Sequence, residues 1–420
     1  MISIGYFPRN INKANYFYII INICVSAFSF LRSFIFMHVL DLRELGIISL
    51  VQTIIMFVGL LQFGLFNGGY RIISLGKKEQ LEKANNTLFS YIALLGIPGS
   101  FFCLLANYYK WIEDLSFLLL VIGVYFGIFT LVNNWLQNVL IGEQRLSEVN
   151  KLNILSYGAS TLALPVAYFT GFWGGIIVIT IQPLLFVLLC LIDNIELRPT
   201  KFTIELDYIK YILSFGFIPF LGGIFTALYT QIERWSITDV LGVEALGSFY
   251  LVFLYVSLYQ LVPSSLNGIF FPKAIKSYEG KRYEEFKKYI KWYYAVLIGY
   301  GLLIVLATIF FLQPVVSLVF PKHILGVGLV YIIMPGLVVQ SMSEPIGLIL
   351  NSSVILKPML VVNCLNLSLN IAIIVIYIYA GSFTLQNIAL LRTISGLFIF
   401  LAYVVVYLII KKRLYKYKTT

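Results

Sequence analysis

The sequence predicts an all-α polytopic membrane protein with twelve transmembrane helices in two parallel-repeat six-helix bundles, and three observations lead there. The first is composition. The chain has 420 residues, 60% of them hydrophobic and only 12% charged, with a mean hydropathy of +0.90. A soluble domain is about 45–50% apolar and about 25% charged. Charge this sparse cannot cover a globule, so the surface faces lipid. The second is spacing. The apolar residues gather in twelve blocks, at 16–38, 45–67, 87–107, 115–138, 153–170, 172–192, 208–232, 247–271, 292–313, 327–351, 358–380 and 385–410. Each is near the 20 or so residues that cross a bilayer as a helix. The third is an internal echo: "VLDLRELG" at 39–46 recurs 201 positions later as "VLGVEALG" at 240–247.

Taken along the chain, the N-terminus lacks the small-residue cleavage site of a signal peptide and reads as a retained first helix. That helix carries Asn22, Ser26, Ser29 and Ser33 on one face, with Arg32 beside them. An even-to-odd assignment of loops puts 24 Lys/Arg on the side of the termini and four (Arg43, Lys110, Arg234 and Lys322) on the other, with Arg32 and Arg392 inside helices. The positive-inside bias therefore predicts cytoplasmic termini. It also assigns the net charge of +11 to topology and anionic lipid rather than to nucleic acid.

The echoed octapeptide falls in the outer turn before the second and the eighth helix, with Gly46 and Gly247 opening them. Each is followed by a basic loop, "LGKKEQLEK" at 75–83 and "EGKRYEEFKK" at 279–288. A six-helix offset preserves the direction of insertion, so the repeat is parallel, as in secondary transporters whose sites lie where the halves meet. The expected division is 1–195 for the first lobe, 196–207 for a cytoplasmic linker and 208–420 for the second lobe. A charge contact between Arg43 and Glu244 is expected across the outer gate.

The fourth span adds Asn133, Asn134, Gln137 and Asn138. The seventh holds Pro219 within "FGFIPFLGG" and closes on Glu233 and Arg234. The eighth presents Ser257, Gln260, Ser264 and Asn267 on one face, and 271–292 reads as an amphipathic surface helix. In the tenth, "MPGLVVQSMSEPIG" places Pro335 and Pro345 around Gln340 and Glu344; such prolines free carbonyls and kink helices. The eleventh carries Asn363, Asn366 and Asn370, and the twelfth Arg392. Amides and hydroxyls on one face suit a hydroxyl-rich ligand or, equally, helix–helix contact. A charge at a helix centre costs about 2.5–3.5 kcal/mol on insertion scales, so Arg32, Arg234, Arg392, Glu233 and Glu344 are functional candidates. The cations suit a phosphate and Glu344 a proton or sodium ion; the alternative is an internal ion pair, for example Glu344 with Arg392. His38 and His323 have no metal-ligand spacing, no phosphate-binding loop is present, and no loop is large enough for a catalytic domain. A transporter that is not an enzyme, without a bound cofactor, is expected.

The segments "LRELGIISLVQTIIMFVGLLQFGLFNGGYR" (42–71) and "ILSFGFIPFLGGIFTALYTQIERWSITDVLGVEALGSFYLVF" (212–253) resemble polysaccharide (O-antigen) flippases of the multidrug/oligosaccharidyl-lipid/polysaccharide exporter superfamily. Glu233-Arg234 stands where many members carry Asp-Arg. The resemblance implies two bundles in a V around a central, mostly cationic cavity in the bacterial inner membrane. It implies an undecaprenyl-pyrophosphate-linked oligosaccharide as cargo, held by Arg32, Arg234, Arg392, Asn22, Gln260, Asn267, Asn363 and Asn366. Glu344 or Glu233 would couple H+ or Na+, and Pro219, Pro335 and Pro345 would serve as hinges. A monomer working beside the polymerase and chain-length proteins of one pathway is implied. The alternatives are a multidrug/cation antiporter of the same superfamily, disfavoured by the scarcity of deep acidic residues, and a membrane polysaccharide polymerase, disfavoured by the missing outer loop. A lipid II flippase would have fourteen helices.

Overall fold

A computed structural model describes residues 13–74, 78–353 and 355–416, and among them all regular structure is helical. The first half comprises α1 (Lys13–Val39), α2 (Leu42–Leu60) with α3 (Leu65–Ser74), α4 (Lys78–Leu94) with α5 (Gly96–Tyr108), α6 (Phe117–Gly142), α7 (Leu146–Leu162) with α8 (Leu164–Thr170), and α9 (Phe172–Asp193). The second comprises α10 (Leu206–Leu241), α11 (Val243–Ser248) with α12 (Tyr250–Glu279), α13 (Tyr283–Ala307) with α14 (Gln313–Val319), α15 (Ile324–Ser341) with α16 (Glu344–Ser352), α17 (Lys357–Tyr379) and α18 (Leu385–Lys416). Ten of these segments are long and apolar enough to cross a membrane. The bent α10 counts as an eleventh, and α1 carries a shorter apolar stretch, Cys24–Val39, at the place of the first expected block. Many lipid-sized side chains stay exposed along them, including Phe310, Phe311 and Leu303, as a lipid-facing surface requires.

Local chemistry explains the breaks. Asp41 caps α2: its carboxylate accepts from the Glu44 N–H at 2.7 Å, and the Glu44 carboxylate accepts from the Asp41 N–H at 3.0 Å. This reciprocal box satisfies two donors that the helix start would leave orphaned. In the second copy the cap position is Gly242, at a φ of 90°. The α2–α3 break runs through Phe63 and Gly64, both at positive φ. The tenth span breaks at Met342–Ser343, with Pro345 in the first turn of α16. Pro335, expected to kink the same span, instead lies inside the continuous α15. The α10 axis turns by 62° between Leu206–Phe217 and Phe220–Leu241, next to Pro219, whose side chain lies outside the described residues.

The two echoed turns meet. A Cβ built on Gly46 would lie 2.0 Å from the Val243 carbonyl oxygen, and one on Gly247 would lie 1.7 Å from that of Leu42. Val243 is the 201-shifted counterpart of Leu42, so the two contacts are the same contact made twice about a pseudo-two-fold axis, the self-complementary logic of an isologous interface. Only residues without a Cβ permit that approach. Along the same seam Gly64, in the α2–α3 break, and Gly68 of α3 lie backbone-to-backbone against Gly216 and Ile212 of α10.

Two expectations are corrected here. Arg43 does not pair with Glu244; it reaches Asp114 on the α5–α6 loop at 3.4 Å, while Asp41 and Glu44 are engaged in the cap. The octapeptides meet through glycine and backbone instead. The segment 271–292 forms no separate surface helix: α12 and α13 run on past their apolar stretches and join at a tight turn, 280–282, because Tyr278 and Phe286 pack at 5.3 Å across it. The segment before α10 is fastened to α4. The Thr200 N–H donates to Oδ1 of the Asn86 side chain at 2.8 Å, the Thr203 N–H donates to the Ser90 hydroxyl at 3.0 Å, and Lys83 pairs with Glu205 at 2.6 Å.

Candidate functional site

Between α1 and α12, backed by α2 and α10, lies a cavity of about 350 Å³. Its wall contains Ser26, Ser29, Arg32 and Ser33 from α1, Gln52 from α2, Arg234 from α10, and Tyr250, Phe253 and Ser257 from α12. The 3.6-residue period that put serines on one face of α1 is the reason they line one wall together. This is the seam between the two halves, adjoining the close-packed turns. Among the described residues, the charged groups in its wall are Arg32 and Arg234.

Behind the wall is an ion pair. Glu233 and Arg234 are neighbours on α10 and therefore project about 100° apart around its axis. Arg234 turns to the cavity, and Glu233 turns to α18, where its carboxylate lies 3.1 Å from Arg392. Both are deeply buried, Glu233 4% and Arg392 8% exposed. The pair is close in distance but not aligned as a hydrogen bond, and Nη1 of Arg392 and Nε of Arg234 are buried without a hydrogen-bond partner. The ring of Phe253 carries both cations: the Arg234 guanidinium is 4.4 Å and that of Arg392 5.9 Å from its centre. Two guanidiniums thus stand against one carboxylate on an aromatic ring, a quadrupole that favours cations on its face.

The expected site residues divide accordingly. Arg32 and Arg234 line the cavity; Arg392 does not, being held behind Phe253 by Glu233. The suggested Glu344–Arg392 pair is not formed. Glu344 sits in the first turn of α16, where a helix N-terminus favours an acid, and accepts from Nδ2 of Asn267 at 2.8 Å. Asn267 in turn accepts from the Tyr293 hydroxyl at 2.8 Å, so this chain of three groups forms its own cluster within the second half. Asn366 is bound into the α17–α18 contact: its Oδ1 accepts from the Ser395 hydroxyl at 2.8 Å, while Nδ2 of Asn370 donates to its backbone carbonyl at 2.7 Å. Helix–helix contact, the alternative weighed for these amides, describes it. Gln260 and Asn363 are half-buried and line no part of this cavity, and the Asn22 side chain lies outside the described residues. Sequence reasoning missed Gln52, Tyr250 and Phe253. The lone amide in "SLVQTIIMF" was a usable signal for the first; nothing local distinguishes the two aromatics.

No family model matches the sequence, and no curated protein sequence matches it. Solved structures do match. The chain superposes on a multidrug resistance MATE family transporter of the MOP superfamily in its inward-facing conformation with a TM-score of 0.72, at 15% identity, covering 94% of this chain and 96% of that one. The fold is that of the MATE transporters. An outward-facing MATE family transporter of the same superfamily superposes less well, at 0.57 and 15% identity over 97% of both chains. A MOP superfamily transporter from Pyrococcus furiosus, described by the reverse polarity of its binding pocket, gives 0.62 at 14% identity, again over 97% of both. These likenesses carry the multi-pass transporter fold across the whole chain. They do not carry the polysaccharide specificity that the sequence resemblance implied.

Proposed function

We propose that this chain is an alternating-access transporter whose cargo carries an anionic head, and that the cargo is an undecaprenyl-pyrophosphate-linked oligosaccharide moved between leaflets of the bacterial inner membrane. The observation that carries this reading is the sign of the cavity: Arg32 and Arg234 are its charged lining residues, and they stand among the hydroxyls of Ser26, Ser29, Ser33 and Ser257. Guanidinium groups match phosphate oxygens in geometry as well as charge, and hydroxyls suit sugars. The outer turns close on each other through Gly46 and Gly247, so a cavity loaded from the cytoplasmic leaflet would be released by their separation. Both termini then lie in the cytoplasm, as the 24-to-4 division of Lys/Arg favours. Glu344 or Glu233 is the group through which H+ or Na+ would drive the cycle, and the chain acts as a monomer beside the enzymes of its pathway.

A second reading is a multidrug/cation antiporter. The likeness to multidrug MATE structures speaks more for this reading than for the flippase, and Glu344 is an acid where a cation could act. The sign of the cavity speaks against it.

One titration separates the two. Purified protein in nanodiscs, with Trp235 beside the site as reporter, is titrated with geranyl pyrophosphate and with tetraphenylphosphonium. The anion binds, and Arg234→Gln weakens it tenfold or more, the effect of removing a charge-assisted hydrogen bond of about 1.5–3 kcal/mol. Binding of the phosphonium alone would overturn the proposal in favour of the antiporter.

A further inference from the structure

We propose that Glu233 is the resident counter-ion of the arginine pair, that the anionic head of the cargo exchanges with it, and that the displaced carboxylate takes up a proton. This deepens the anionic-cargo reading and rests on it.

Charge comes first. Arg234 and Arg392 bear on one ring, Phe253, and among the described residues Glu233 is the acid that faces them, so the cluster carries a net positive charge at the edge of the cavity, with Arg392 buried behind it. Such a charge is costly until an anion joins it. The orphaned donors come second. Nη1 of Arg392 and Nε of Arg234 are both buried and unpartnered, so each can donate to an acceptor that enters beside it. The two donors belong to the two arginines on Phe253, one on the cavity side and one behind the wall. The third observation is the quality of the ion pair itself. At 3.1 Å the Glu233–Arg392 contact lacks hydrogen-bond alignment, whereas Arg–carboxylate pairs are frequently bidentate. Arg145 on the terminal face shows the contrast: it grips Glu148 through two nitrogens at 2.8 and 2.7 Å.

A phosphate entering at Arg234 meets the Nε donor and, by drawing Arg392 toward it, the Nη1 donor. Arg392 leaves Glu233. The charged or titratable groups facing Glu233 are Arg234 and Tyr229 on its own helix, Arg392 on α18 and, beyond Arg234, Tyr250 on α12. With both arginines on the phosphate, no cation remains for a carboxylate that is 4% exposed, and protonation is the low-cost resolution. Cargo binding and proton uptake at Glu233 thereby become one event, and the pair re-forms when cargo and proton leave; because this proton travels outward with the cargo, the ion that drives the cycle is taken at Glu344 and not at Glu233.

Calorimetric titration of the whole protein in nanodiscs with geranyl pyrophosphate, repeated in buffers of different ionisation enthalpy, tests this. The wild-type protein takes up about one proton per ligand bound. Glu233→Gln abolishes the uptake and tightens binding roughly 5-fold or more, because no carboxylate competes for Arg392. Glu233→Asp restores the uptake, and Arg392→Gln weakens binding. Wild-type binding with no proton uptake, or uptake that persists in Glu233→Gln, overturns the exchange and leaves the anionic-cargo reading standing. Failure of geranyl pyrophosphate to bind either the wild type or Glu233→Gln overturns both. The buffer dependence of the wild type decides the matter even if a variant does not fold.

Discussion

Adding a single methyl group at Gly46 or Gly247 is expected to hold the outer turns apart. The Cβ of Gly46→Ala would lie 2.0 Å, and that of Gly247→Ala 1.7 Å, from a backbone carbonyl oxygen of the other half, where ordinary contact begins near 3.4 Å. The obstructing atoms are backbone, so no rotamer change relieves them. The halves must part by roughly 1.4 Å to 1.7 Å, or the helices must shift, at the overpacking cost of about 1–3 kcal/mol. Paid only in the closed state, that cost shifts the closed-to-open equilibrium by about 5- to 150-fold. The assay is pulsed electron spin resonance on labels at 113 and 382, on far-face loops of opposite halves, with the four native cysteines replaced. Gly46→Ala and Gly247→Ala populate a longer distance, and the double variant does so more strongly. Gly59→Ala, on the same helix as Gly46 but with nothing within 4 Å of its added Cβ, leaves the distribution unchanged. If the two gate variants match Gly59→Ala, the close approach does not govern outer closure.

Other predictions follow from single contacts. In a double-mutant cycle on unfolding, Arg43→Ala couples to Asp114→Ala by up to about 1 kcal/mol, the scale of an exposed ion pair, and shows no coupling to Glu244→Ala. In a double-mutant cycle Asn366→Ala and Ser395→Ala show a coupling of about 0.6 kcal/mol in unfolding, the scale of hydrogen bonds between membrane helices, and neither changes ligand affinity. Tyr293→Phe lowers stability by about 1 kcal/mol by unpinning the Asn267 amide that donates to Glu344, as a thermal unfolding midpoint reads. On the terminal face the Glu196 carboxyl is held below its usual range by its own backbone N–H and, less strongly, by Arg145. Its folded-state pKa is depressed, so its contribution is present at neutral pH and lost as the pH falls through that depressed value. Amide exchange around 194–198 is therefore faster in acid, after correction for intrinsic rates, and Arg145→Gln removes the smaller part of the difference, leaving the part due to the backbone N–H.

The membrane class, the placement of most spans, and the polar face of α1 were legible because each is a one-dimensional property. Hydropathy sums over a window, and the face carrying Ser26, Ser29, Ser33 and Arg32 follows from the helical period alone. The echoed octapeptide likewise placed Gly46 and Gly247 where the halves meet. What it could not reveal was how they meet. The charges of Asp41, Arg43 and Glu44 suggested a salt contact across the gate, yet Asp41 and Glu44 serve their own helix start and Arg43 serves its own half. Local capping forms between residues three apart at almost no entropic cost, so it takes those groups first.

The arginines mark the boundary most clearly. Sequence alone determined that Arg32, Arg234 and Arg392 lie within or beside apolar spans, with Glu233 and Glu344 as the nearby acids. Which acid meets Arg392 was decided only by tertiary structure, through the rotation of α10 and α18 about their axes, and the answer is Glu233. Only the packing of Phe253 separates Arg392 from the cavity that Arg234 lines. Burial in a membrane makes every charge costly, which the sequence displays, but the partner that offsets the cost is a matter of angstroms between helices far apart in the chain.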